Sequence, residues 1–88
     1  MITDIKNWKE VTKGIYRYVV AAKAAYEIHV NYWNHLTDIR TSNATLFLVG
    51  DWRNTSGENF FERETLLDSK PLFECLSAAE KDYKENMS

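Results

Sequence analysis

The chain has 88 residues, 44% of them hydrophobic and 27% charged, and a net charge of −2 at pH 7. That length supports one domain and a single core, because so short a chain buries only somewhat more than about 60% of the surface it exposes when unfolded. Slight acidity with interspersed signs speaks against duplex nucleic acid or an anionic membrane as partner, since both reward an excess of Lys and Arg.

One cysteine, Cys75, forms no internal disulfide. The start, Met1 to Lys6, lacks the basic and apolar regions of a signal peptide, and no apolar run approaches the ~18 residues of a membrane span. A reducing cytoplasm is the expected setting. Three Trp, five Tyr and four Phe are generous for so little interior, so aromatic surface is expected at an oligomer or partner interface or against a ligand.

Residues 1–13 are ambiguous. Ile2, Ile5 and Trp8 are spaced for a helical turn, whereas Trp8 to Thr12 suits an edge strand; Trp8 is expected to be packed in either case. Gly14 punctuates. Ile15 to Ala22 has branched and aromatic residues on both parities, as a strand covered on both faces would. Tyr26, Ile28, Val30 and Tyr32 then alternate with Glu27, His29, Asn31 and Trp33, the period of a half-buried strand. A helical stripe through Ile15, Tyr18, Val19, Ala22, Ala25, Tyr26, His29, Val30 and Trp33 is the rival reading. Between the two apolar runs, Ala22-Lys23-Ala24 lacks the Gly or Asn of a tight primed turn, which predicts a longer loop or one bent strand.

Asn34 to Asn43 reads as a surface loop, Thr45 to Val49 as an interior strand, and Arg53 to Glu58, with Gly57, as a hairpin connection. Phe61, Arg63, Thr65 and Leu67 would alternate with Phe60, Glu62, Glu64 and Leu66 on the returning strand, although a helical turn also fits. Asp68 or Ser69 can cap a last helix with Pro71 in its first turn, and Leu72, Cys75, Leu76, Ala79 and Tyr83 form its apolar stripe. The expected fold class is therefore α+β: one domain over 1–88, with a small antiparallel sheet of about four strands (14–67) and a C-terminal amphipathic helix (69–85) packed on one face.

No phosphate loop, nucleophile triad or paired-cysteine metal site can be assembled, and no cofactor is expected. Glu27 and His29 share a strand face and could do acid–base work, although a solvated sheet face is the plainer account of Glu27, His29, Asn31 and Trp33. On the plainer account Glu27→Ala is nearly neutral, whereas Ile28→Asp unfolds the domain. Trp52 and Arg53, with Arg17 and Trp33 nearby on the sheet, could stack and clamp a nucleotide. Arg17 and Arg63 are expected to pair across strands with Glu27, Glu62 or Glu64.

Two functions follow as leading expectations. The first is a non-enzymatic binding protein that occupies a partner surface, such as a phage or mobile-element inhibitor of a bacterial host or defence protein. The second is a homo-oligomer that sequesters a nucleotide or another small anionic ligand through Arg17, Trp33, Trp52 and Arg53. A small enzyme using Glu27 and His29 ranks below both.

Overall fold

In the computed structural model of the protein, residues 1–21, 24–30, 43–50 and 62–87 are described. Asp4 caps a short 3-10 turn, Ile5–Asn7, by accepting a hydrogen bond from the Lys6 amide. The turn swings Trp8 inward, where its indole Nε1 donates to the Ile2 carbonyl at 2.7 Å. Both readings of the N-terminal segment are thus realised in succession, a turn followed by an edge strand, and Trp8 and Ile2 are buried as a pair.

Five strands follow: β1 (Lys9–Thr12), β2 (Ile15–Ala21), β3 (Ala24–Val30), β4 (Asn43–Gly50) and β5 (Glu62–Pro71). All neighbours are antiparallel in the order β1-β2-β3-β4-β5, a simple meander. Helix α1 (Leu72–Asp82) continues directly from β5 and packs against β3, β4 and β5. The α+β class is as expected, with β1 adding an edge strand to the four.

At the first hairpin Gly14 takes φ +83°, a value that favours glycine, and its carbonyl accepts from the Val30 amide at 2.8 Å. At the second, Ala21 stands opposite Ala24, so only residues 22 and 23 separate the strands. The longer loop or bent strand is not what forms. A bulge between Val19 and Ala21 adds local twist at the end of β2. The loops read over Asn34 to Asn43 and Arg53 to Glu58 lie outside the described residues, except Asn43, which begins β4.

The core forms between α1 and one sheet face. Tyr26, Ile28, Ala44 and Leu46 meet Leu72, Cys75, Leu76 and Ala79 there, with Tyr16, Tyr18 and Leu48 partly buried beside them. Each fully buried Leu or Ile side chain contributes about 1.5–3 kcal/mol, so this layer dominates stability. The strand reading of 24–30 holds, and Ile28 is completely enclosed. The apolar stripe of the helix also holds, but its start does not. β5 runs to Pro71, which stands at the N-cap with no side-chain capping bond, and Asp68 instead accepts a hydrogen bond from the Thr45 hydroxyl at 2.9 Å. Pairing of Asn43 with Pro71 and Ala44 with Lys70 thus prevails over the capping preference of Asp68 and Ser69. A π-type turn over Tyr83–Met87 extends the helix.

Two other expectations need correction. β2 is only half covered on both parities rather than buried on both faces, because only the short edge strand β1 lies beyond it. On β5 the alternation breaks at Leu66 and Leu67: the register shifts between Leu46 and Phe47, so Leu67 faces Leu46 while Thr65 faces Phe47.

Candidate functional site: the outer sheet face

Strand register places three rows of side chains on the face turned away from α1, because directly opposed residues share a side. Ile15, His29 and Thr45 form one row, and Lys9, Arg17, Glu27, Phe47 and Thr65 the next. Val19, Ala25, Val49 and Arg63 form the third. In the second and third rows the middle is buried and the ends are exposed, whereas in the first Thr45 is buried and Ile15 and His29 are half-buried.

Glu27 lies at the centre, 2% exposed. Arg17 on β2 donates from Nε and Nη2 to its Oε2 at 3.1 and 2.8 Å. His29, two residues along β3, contacts Oε1 through Nε2, and Arg63 on β5 reaches the same oxygen at 3.4 Å. An ionised carboxylate only accepts hydrogen bonds, so His29 Nε2 carries a proton in this contact. Burial alone would push the Glu27 carboxyl up, but hydrogen bonds from His29 and Arg17, reinforced by their charges, outweigh it and hold the group below its usual value. Phe47 completes the cluster: its ring meets His29 edge-on at 4.8 Å between centroids, and the Arg63 guanidinium lies 5.2 Å from its centroid.

The solvated-face account of Glu27 is therefore wrong. A carboxylate on the alternate parity of a central strand is tolerated in burial because β2 beside it and β5 beyond β4 each deliver an arginine. Of the six residues singled out in the sequence, the structure brings Arg17, Glu27 and His29 together. Trp33, Trp52 and Arg53 lie outside the described residues. Arg17, expected to hold a nucleotide, is paired with Glu27. The expected pairing of Arg17 and Arg63 with Glu27 does occur.

Sequence reasoning missed Lys9, Val11, Val19 and Phe47. Phe47 sits in a near-continuous apolar run that gives no face, and Lys9 and Val11 lie in the ambiguous N-terminal stretch. Register with β2 locates them: Lys9 is directly opposite Arg17, and a hollow of about 190 Å³ opens among Lys9, Val11, Arg17 and Val19. A larger groove of about 330 Å³ adjoins it at Val19, among Met1, Ile2, Tyr18, Val20 and Tyr83, with the Glu80–Lys84 ion pair on its rim.

No grouping of His, Cys, Asp and Glu among the described residues suits a metal ion, and no described helix is long and apolar enough to cross a membrane. The class defined by the fold is an α+β meander with one covering helix. No protein-family model, curated protein or solved structure matches the chain.

Proposed function

We propose that this protein acts by binding, without chemistry of its own, and that the β1–β2 part of the outer face docks on a partner protein. One observation carries this reading. Val11 and Val19, two of the large apolar side chains left exposed, at 38% and 45%, share a single hollow with two cations. Apolar area set among charge is what an interaction surface offers, and the buried Glu27 cluster beside it links β2, β3 and β5. An inhibitor of a bacterial host or defence protein, carried by a phage or mobile element, is the concrete form of the proposal. Small size and the lack of a catalytic motif support it.

The immobilised chain should retain one bacterial protein at a one-to-one ratio. Val19→Asp should weaken that complex by more than about ten-fold, as expected for a charge placed in a desolvated contact. Phe73→Asp, a change at an exposed helix position, should leave it intact. Unchanged capture by Val19→Asp would contradict the proposal. The contact between His29 and Glu27 favours an acid–base enzyme as a second reading, for which substrate turnover at substoichiometric protein, lost in His29→Gln, is the test.

A further inference from the structure

Lys9 and Arg17 are direct cross-strand partners, and like charges so placed repel. Arg17 is offset by Glu27, whereas no ion pair of Lys9 occurs among the described residues. Among the described residues the outer face carries Lys9, Arg17 and Arg63 against the buried carboxylate of Glu27, with the exposed Asp68 beside Thr45 away from β1, in a chain that is acidic as a whole. An uncompensated cation beside a guanidinium, at the mouth of a hollow, is an arrangement completed by an anion.

We infer that the hollow among Lys9, Val11, Arg17 and Val19 receives a carboxylate side chain of the partner protein, flanked by apolar residues that rest on Val11 and Val19. This inference rests on the docking surface proposed above and names the chemistry that it recognises. The volume, about 190 Å³, falls below the roughly 300–1,000 Å³ of sites that enclose a whole small ligand, so it suits one side chain rather than a nucleotide. A singly charged group matches it better than a phosphate, because Arg17 already directs two donors at Glu27 and Lys9 supplies the remaining full charge. The valine walls fit the methylene stem of a Glu or Asp. Lysine on an edge strand also guards against stray strand pairing, and the bulge between Glu10 and Thr12 does the same, but neither role requires an arginine directly opposite.

The test uses the isotope-labelled full chain, a capped Leu-Glu-Leu peptide, its Leu-Gln-Leu counterpart, and inorganic phosphate. Leu-Glu-Leu should shift the amide resonances of Lys9, Val11, Arg17 and Val19 saturably, and the Gln peptide should bind at least about five-fold more weakly, the scale of one exposed ion pair. Lys9→Gln should weaken the Glu peptide by a similar factor. Lys9→Glu should fold with a Tm no lower than the wild type, because it replaces repulsion by attraction to Arg17. Equal binding of both peptides, tighter binding of phosphate, no shift at these residues, or a lowered Tm in Lys9→Glu would each overturn the inference. If partner capture is lost in Val19→Asp but unchanged in Lys9→Gln, the docking surface stands and the carboxylate subsite falls. If neither change matters, the surface itself is misassigned.

Discussion

Protonating Glu27 weakens contacts to three strands' worth of partners at once, which makes this one side chain a hub for the outer face. Its pKa is lower in the folded chain than the ordinary 4.5, so the unfolded chain takes up the proton first as pH falls. The stability it contributes is complete above that ordinary value and is lost as pH drops through the folded one. Glu27→Gln should cost about 1–3 kcal/mol at neutral pH, less than a fully buried ion pair would, because Arg17, His29 and Arg63 retain access to water. Urea titrations should show the gap between wild type and variant narrowing in acid. A gap independent of pH, or none at neutral pH, would contradict the hub. Cys75, by contrast, is inert by placement: burial, with some help from Glu74, pushes its thiol up to about 11, and it donates weakly to the Ala44 and Lys70 carbonyls.

Elements whose apolar period continues through several turns or residue pairs could be read from sequence alone. Tyr26, Ile28 and Val30 announce β3, and Leu72, Cys75, Leu76 and Ala79 announce the buried stripe of α1. Element ends were not legible, because they are decided by pairing partners far away in the chain. Pro71 belongs to β5 through Asn43, and the bulges at Val20 and at Leu66 are invisible without knowledge of the opposing strand. The candidate site was half legible for the same reason. Alternation put Glu27 and His29 on one face, but only register shows that Arg17 and Arg63 converge there and that Lys9 stands opposite Arg17. A second tie between elements was equally hidden: the Tyr26 hydroxyl donates to Asp82 Oδ2 at 2.6 Å, and Asn86 donates to the other oxygen of that carboxylate at 2.9 Å. Burial first, and then this bond, push the Tyr26 phenol well up, so it stays a donor throughout the ordinary pH range. Tyr26→Phe should cost about 1.5–3 kcal/mol, the value of a hydrogen bond to a charged group, and thermal unfolding followed by circular dichroism will measure it. A change within about 0.5 kcal/mol would show that the latch does not hold the helix end.

At the scale of the whole molecule, the sheet is asymmetric in both packing and charge. One face is closed by α1 and its apolar stripe; the other presents cations around a sunken carboxylate, with exposed valines towards the β1 edge. The abundance of aromatic residues is less telling than composition suggests. Of the seven described, Trp8 and Tyr26 are buried, Tyr16, Tyr18, Phe47 and Tyr83 are half-buried, and Phe73 alone is exposed. Any aromatic surplus that would drive self-association falls on Tyr32, Trp33, Trp52, Phe60 and Phe61, outside the described residues. The proposed docking surface is the outer face beside β1 and β2. Hydrogen–deuterium exchange on the captured complex, compared with the free chain, tests it most directly. New protection should concentrate at residues 9–12 and 15–21 with α1 unchanged; protection confined to α1, with β1 and β2 exchanging as in the free chain, would rule out this surface.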